Sequence, residues 1–503
     1  MQCARIALDT KVPVYFAPDQ LADTYAGQQG EIVSACRVEP GDAEEVAYVL
    51  SVLKEAKCHF SLRSGGHSGW PGASNSDGGI TLSLRRIKHV QVSDDRKTVR
   101  LGSGAQWLEV YSAIEEHGLA VVGGRAGTVG VGGLLLGGKQ EPSVWMDKLL
   151  TTVGGISYIS RRYGLGLDSI VAFEMVLPNG TITRIDKTHP ELYRIMKGSG
   201  LSNFGIITSF EVEAVDTPKD GYRLSFSTSA WDQTPAIIDA LHAHLTDEAL
   251  DDPDAMLVPI FTYSQEAGLP LAIVLQIHSN HSDLTSGPAV FEPFGKLPTL
   301  SPAQPALYTY AETLQLGIDL GPPNGKRADY AVTAVGPSVA ALNEILAVIS
   351  AYFDQIKHIK GLYVNALPSF MYRSTIRQMA KNGGNSLCVD PDDEPFWVFS
   401  LATNWDDPAD DDFMSGLLKE TIRCVEQVAE KHGVSHPYRY FNYAAPWQAE
   451  DVWAGYEKAS LERMRQLQRK YDPEQVFVAG GLNGLGFKLN SKEKKHFHGK
   501  DEL

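Results

Sequence analysis

The chain has 503 residues, a 43% hydrophobic fraction, 9% aromatic residues and a formal charge of −16. Such a chain is globular, with room for more than one domain, and its acidic balance excludes a nucleic-acid binder, which needs clustered Lys and Arg. No uninterrupted apolar run approaches the roughly 20 residues of a membrane helix; the nearest, 121–138, is broken by Arg125 and crowded with glycine.

In chain order, Pro40-Gly41-Asp42-Ala43-Glu44-Glu45 opens a helix. Asp42 can cap it, Glu45 stands three residues on, and Val46, Val49, Leu50 and Leu53 recur at helical spacing. A short strand, 58–62, then runs into Arg63-Ser64-Gly65-Gly66-His67-Ser68-Gly69. Adjacent glycines allow positive φ and add no side chain, so successive N–H groups can face phosphate oxygens. Arg63 stands ready as a charged partner and His67 as a reactive nitrogen. Strands at 80–84 and 98–102, a helix at 107–117 and a strand at 119–122 follow. From 123 to 138 the glycine density argues against a core helix and predicts a second backbone stretch laid against a flat ligand. Residues 168–185 read as a hairpin turning at Pro178-Asn179-Gly180. A helix near 190–196 and the run 198–210 finish this unit.

The middle of the chain has another texture: strands at 257–263 and 269–277, a Pro-rich loop at 291–305, a helix at 339–353, strands near 361–366 and 396–403, and a helix at 411–432. That is a sheet carrying helices, a second domain. Past Pro437 come Tyr438-Arg439-Tyr440-Phe441-Asn442-Tyr443, a helix at 449–470 and Tyr471-Asp472-Pro473. The alternation of elements points to an α+β or α/β architecture.

The motifs of other chemistries do not fit. After Gly130 and Gly132 the third glycine of a dinucleotide fingerprint is replaced by Leu135. A P-loop match from Gly133 through Lys139 fails at Gln140, which lacks the hydroxyl that ligates Mg²⁺. His242/His244 and His278/His281 have no carboxylate frame and read as solvated, so no metal site is expected. No G-x-S-x-G elbow is present. The five cysteines are odd in number and lack CxxC spacing, so neither a zinc site nor a disulfide framework is expected, and free thiols are the default.

The loop Arg63–His67-Ser68 resembles the flavin-anchoring loop of FAD-linked oxidases of the vanillyl-alcohol oxidase superfamily, more narrowly the berberine-bridge-enzyme-like group. The resemblance continues through Thr128-Val-Gly-Val-Gly-Gly133, Asn203-Phe204-Gly205, Tyr440-Phe-Asn-Tyr443 and Tyr471-Asp-Pro473…Val476-Phe477. It implies an α+β, two-domain FAD-binding PCMH-type fold. Residues 1–215 and 438–490 would form the flavin domain, 216–437 the substrate domain between them, and 491–503 a disordered tail. It implies FAD bonded through His67 to the flavin 8α carbon. Bicovalent relatives carry a cysteine where this chain has Ala126, so only one link is possible. Arg63, Ser64, Gly65, Gly66, Ser68, Ala126, Gly127, Thr128, Gly130, Gly133, Leu134, Ile206 and Asn442 would surround the cofactor. Tyr440 or Tyr443 would be the catalytic base, supported by Asn442. Leu134 resembles the position controlling oxygen access, which leaves oxidase and dehydrogenase both open. The implied reaction removes hydride from carbon next to O or N of a small organic, secondary-metabolite-like substrate, with O₂ reoxidising the flavin to H₂O₂. A carbohydrate or alcohol oxidase of the same fold is the alternative, as is a flavin-free binding protein.

Residues 139–154 depart from the family, which reads directly from Gly138 into Gly155-Ile-Ser-Tyr158. They are either a retained short intron or a lineage-specific loop, and an insertion there puts flavin loading in question. Residues 1–20 lack the apolar core of a signal peptide, which favours the cytoplasm. The terminal Lys500-Asp501-Glu502-Leu503 is the ER-retrieval tetrapeptide and argues for the ER lumen if it is read. Sequons at Asn179 and Asn280 do not decide between the two.

Overall fold

A computed structural model describes residues 2–9, 11–16, 24–136, 156–199, 202–302, 304–319, 325–387 and 389–489. The 139–154 segment and the terminal tetrapeptide lie outside the described residues. The helix Ala43–Glu55 begins as its letters dictate. The Asp42 side chain accepts from the Glu45 amide at 2.8 Å, and the Glu45 carboxylate takes the Gly41 amide at 2.7 Å. Its Val46, Val49, Leu50 and Leu53 are buried in one core with Val38, Phe60 and Leu82. The strand Phe60–Arg63 that delivers the glycine loop sits at the edge of a four-stranded sheet, in the order Val14–Tyr15, Cys36–Val38, Ile80–Ser83, Phe60–Arg63. The last three strands are parallel.

A second, antiparallel sheet of six strands is built around the long strand Ile206–Asp216, flanked by Thr98–Gly102 and Ile170–Val176. The third sheet has eight antiparallel strands, in the order Ala306–Tyr308, Tyr222–Ala230, Pro270–His278, Ala255–Ser264, Tyr363–Met371, Phe396–Trp405, Arg327–Val335, Ser435–His436. Helices Val339–Ile356 and Asp411–Lys431 cover one of its faces. Tyr352 meets the Thr403 hydroxyl at 3.0 Å, and Ser415 donates to Asp329 at 2.6 Å. Because side chains alternate along a strand, Ala328, Tyr330 and Ala402 fall on the opposite face, where Tyr25 and Ala26 pack on them. By length and composition Val339–Ile356 could cross a membrane. Its Leu342, Ile345, Leu346, Ile349 and Phe353 instead recur at helical spacing and are buried in the core.

The C-terminal tail returns to the first sheet. Asp472 caps its own turn, accepting from the amides of Val476 and Phe477 at 2.9 and 2.7 Å. The Phe60 amide then donates to the Leu482 carbonyl at 2.9 Å, and Asn483 donates back to the Phe60 carbonyl at 3.0 Å. The chain end thereby fixes the strand that presents the glycine loop.

Several sequence expectations are corrected here. Cys3 and Cys36 form a disulfide with Cα atoms 6.2 Å apart, and among the described residues Cys58 and Cys424 are free thiols. The helix Gln2–Asp9 buries Cys3 and Ile6 in the core that also holds Cys36, a juxtaposition that the 33-residue separation does not announce. The glycine run does contain a helix, Val131–Leu135. The helix expected at 449–470 is two, Ala449–Ala454 and Lys458–Tyr471, parted where Gly455 lies so close to the Pro437 carbonyl that a Cβ would sit 2.5 Å from it. The Pro-rich loop holds a short helix, Glu292–Gly295. His244 and His278 are not solvated. His244 is 1% exposed among Phe291, Phe294, Phe370 and Tyr372, and His278 is buried against Asp252.

Candidate active site

Two glycine turns meet beside the edge strand Phe60–Arg63. Gly65 and Gly130 touch backbone to backbone: a Cβ on Gly130 would lie 2.3 Å from the Gly65 nitrogen, and one on Gly65 2.4 Å from the Gly130 nitrogen. Gly66 has φ of +75°, and Arg63 folds back over it so that a Cβ would meet the guanidinium Nε at 2.7 Å. Ser64 Oγ donates to the Ser103 carbonyl at 2.5 Å, tying the turn to the second sheet.

A cleft of about 680 Å³ opens at this contact, lined by Ser64, Gly65, Gly66, His67, Gly130, Gly133 and Ile206 of the expected set, together with Ser74, Ser103 and Ser202. Among the described residues lining it there is no carboxylate; glycine backbone and serine hydroxyls share its walls with Leu62, Leu84, Leu136, Ile206 and Ile207. That surface fits an anionic pyrophosphate, because glycine backbone without side chains borders it and no carboxylate opposes the charge. A second cleft of about 690 Å³ shares Leu62 and Ser202 with the first and is lined by Ser68, Trp70, Tyr330, Phe441, Asn442 and Phe487.

The other expected residues stand off these two clefts. Gly127 makes room for Ile318 and Leu108, and Gly123 and Gly124 for the Trp107 indole, whose ring atoms would lie 2.1 and 2.5 Å from an added Cβ. These three glycines of the run therefore serve packing within the protein. Arg63, Ala126, Thr128, Leu134, Tyr440 and Tyr443 line neither cleft.

His67 bridges the two turns. It is 7% exposed, stacks on Tyr25 with centroids 5.1 Å apart, and is hydrogen-bonded to the Thr128 backbone. Burial drives its pKa from 6.5 down to about 3; the Thr128 bond opposes that shift and the Arg63 guanidinium adds to it. The imidazole is neutral across the physiological range.

The turn Phe441–Tyr443 places Tyr440, Asn442 and Tyr443 together, all buried. Asn442 donates to the Tyr440 hydroxyl, and the Tyr440 and Tyr443 rings meet edge to face at 5.6 Å. Burial raises the Tyr440 pKa well above 10, Tyr438 and Tyr443 raise it further, and Asn442 and Arg125 pull it back. Arg125 is 2% exposed, 5.7 Å from the Tyr158 ring centroid, and its charge is felt by Tyr158, Tyr443, Tyr310 and Tyr440.

Sequence reasoning missed Tyr25, Ser103, Arg125, Ser202 and Tyr330. Ser202, at φ +51° and bordering both clefts, immediately precedes the Asn203-Phe204-Gly205 block and could have been found from it. Tyr25 and Tyr330 carry no local signal.

Residues 34–144 match the FAD binding domain family. Over 475 residues the chain is 30% identical to FAD-dependent monooxygenase prx3 of Penicillium roqueforti, covering 92% of this chain and 87% of that protein. Among solved structures, BBE-like 1 of Physcomitrella patens superposes with a TM-score of 0.75 at 15% identity, covering 97% of this chain and 99% of that one. Glucooligosaccharide oxidase of Acremonium strictum, which carries a 6-S-cysteinyl, 8α-N1-histidyl FAD, gives 0.70 at 17% identity over 97% and 99%. The glycine-lined cleft and the likeness over nearly the whole chain agree: this chain belongs to the FAD-dependent oxidoreductases that include prx3, with a PCMH-type flavin-binding fold.

Proposed function

We propose that this flavin oxidoreductase takes hydride from a C–H next to oxygen or nitrogen of a small, secondary-metabolite-like molecule, with FAD held by one covalent bond to His67. The bound flavin supplies the hydride acceptor and passes the electrons to O₂, releasing H₂O₂. The observation that carries this reading is the state of His67: buried, held by the Thr128 backbone and neutral. A neutral imidazole offers the nitrogen lone pair that such a bond needs, whereas a protonated one does not. The methyl group of Ala126 cannot form a thioether, which limits the link to one.

The backbone N–H groups of Ser64, Gly65, Gly66 and Gly130 would hold the pyrophosphate, with the Ser64 hydroxyl tying the turn to the Ser103 carbonyl. Removal of the substrate proton falls to Tyr440 or Tyr443. A phenol with a pKa of about 10 acts as a base only where its anion is stabilised; the buried Arg125 charge pulls in that direction on both rings, against the burial that raises the Tyr440 hydroxyl. Asn442, donating to Tyr440, orients that hydroxyl and lowers its pKa. Leu134, expected at the position controlling oxygen access, is buried just past Gly133 and lines neither cleft.

A monooxygenase reading is favoured by one observation, the name of the 30%-identical Penicillium roqueforti relative. Turnover under ¹⁸O₂ separates the two. Label in released H₂O₂ with unlabelled product supports the oxidase, and label in the product supports oxygen insertion. Covalent attachment is read from the acid-precipitated protein: a yellow pellet from wild type and a colourless one from His67→Ala are expected. A wild-type protein that purifies colourless would overturn the flavin reading and leave a binding protein of this fold.

A further inference from the structure

The imidazole of His67 is held from two directions, and one of them reaches it from the third sheet. The Thr128 backbone holds one ring nitrogen. That bond raises the imidazole pKa, so the ring N–H is its donor and the lone pair stands on the other nitrogen. A single in-plane bond leaves the ring free to tilt about it. The tilt is settled by Tyr25, whose ring stacks on the imidazole with centroids 5.1 Å apart and planes 24° from parallel. Both residues are buried.

Tyr25 lies in residues 24–31, a strap between the glycine loop and the strand Arg327–Val335. Its amide donates to the Gly66 carbonyl at 3.4 Å, and its carbonyl accepts from the Gly325 amide at 2.8 Å. Gly27 donates to the Lys326 carbonyl at 2.8 Å. The Gln28 side chain pairs with the Ala328 backbone as donor and as acceptor, at 3.1 Å each. Glu31 forms an ion pair with Arg327, which also pairs with Asp411. The Tyr25 ring packs on Ala328, Tyr330 and Ala402, and the Tyr330 hydroxyl engages it. The third sheet contributes no described residue to the cleft that contains His67. Through this strap it nevertheless sets where the Tyr25 ring lies, and Tyr25 sets how the imidazole is turned.

We propose that Tyr25 is the positioning residue for flavin attachment: by stacking on His67 it aims the imidazole lone pair at the 8α carbon of FAD. This rests on the covalent reading above and deepens it. The new C–N bond replaces one C–H of the 8α methyl group and the imidazole N–H. The two protons and two electrons set free pass to O₂ and leave as H₂O₂. Bond formation of this kind depends steeply on alignment, and a misplacement of about 1 Å costs up to about 10²-fold in rate. Tyr25 acts through His67 and not on the reacting carbon. Its loss should therefore slow the bond without weakening the binding of FAD that precedes it.

The test uses the full chain, produced flavin-free in a riboflavin-starved host and mixed with FAD in air. Attachment is timed as flavin retained by acid-precipitated protein, prior binding is read from quenching of FAD fluorescence, and integrity from the thermal midpoint. Tyr25→Phe keeps the stacked ring and should attach flavin at the wild-type rate. Tyr25→Leu fills the space without a flat face and should attach it about 10- to 100-fold more slowly, with FAD affinity unchanged. Gln28→Leu loosens the strap while leaving both rings in the sequence, and should also slow attachment. A Tyr25→Leu protein that attaches flavin as fast as wild type overturns the positioning role while the covalent reading stands. So does equal slowing in Tyr25→Phe and Tyr25→Leu, because the stacked ring would then not be what matters. Weakened FAD binding that accounts for the whole loss in Tyr25→Leu overturns it too, since the role is then structural. A wild type that binds FAD and never bonds it overturns the covalent reading, and the proposal falls with it.

Discussion

Replacing Gly130 with alanine tests whether the contact between the two glycine turns sets the cofactor cleft. The new Cβ would stand 2.3 Å from the Gly65 nitrogen, 2.3 Å from Ser64 Oγ and 2.8 Å from the Gly65 Cα. Non-bonded carbon contacts settle near 3.5–4.0 Å, so the turns must part by roughly 1 Å. Two features resist that movement: the bridge between Gln106 and Gly130, and the Ser64 hydrogen bond to the Ser103 carbonyl. Overpacking of this kind costs about 1–3 kcal/mol. Where the strain is felt in the bound state, flavin association weakens by about 5- to 150-fold. The assay is the flavin-to-protein ratio from absorbance after denaturation, beside the thermal midpoint of the flavin-free protein. Gly124→Ala is the control, because its Cβ would strike Trp107 at 2.5 Å and not the facing turn. It should lower stability while full flavin loading is retained. A Gly130→Ala protein that loads flavin in full and melts with wild type would refute the reasoning, since the turns would then separate at no cost.

Three further outcomes are expected. His67 titrates at about 3 in the folded chain against an ordinary 6.5 unfolded, so the unfolded state binds the extra proton between those values. The stability this group contributes is fully present above pH 6.5 and is lost as pH falls through the window. His67→Gln should flatten the acid limb of the thermal midpoint in flavin-free protein, and a limb as steep as wild type's contradicts the assignment. Cys3→Ser should cost about 3–4 kcal/mol, from the entropy of closing a loop with a sequence separation of 33. Dithiothreitol should lower the wild-type melting temperature by a similar amount without affecting the variant, and an indifferent wild type rules the bond out. Tyr443→Phe should slow anaerobic flavin reduction by about 10²–10⁴-fold, and Tyr440→Phe by less, because Asn442 already engages the Tyr440 hydroxyl. Wild-type reduction rates in both variants would exclude either phenol as the base.

What was legible in the sequence is what local chemistry fixes. The Asp42–Glu45 cap and the Pro178-Asn179-Gly180 turn each close within a few residues, and each forms as its letters dictate. The glycine turns were visible for the same reason, and so was the histidine between them. What a glycine announces, though, is only that something approaches closely. Gly123 and Gly124 admit the indole of Trp107, Gly127 admits Ile318, and Gly65 and Gly130 admit one another. These uses are identical in the one-letter code and are separated only by where distant strands cross. The same limit hid Cys3 beside Cys36, and hid Tyr25 and Tyr330, which come from distant parts of the chain to meet on one face of the third sheet. Arg125 shows the converse. It was noticed as the charge that breaks an apolar run, and in the fold that charge lies buried among tyrosines beside the expected base. A cation kept in an interior where desolvation lowers its pKa is costly to retain, and the tyrosine rings around Arg125 are what the fold sets against that cost.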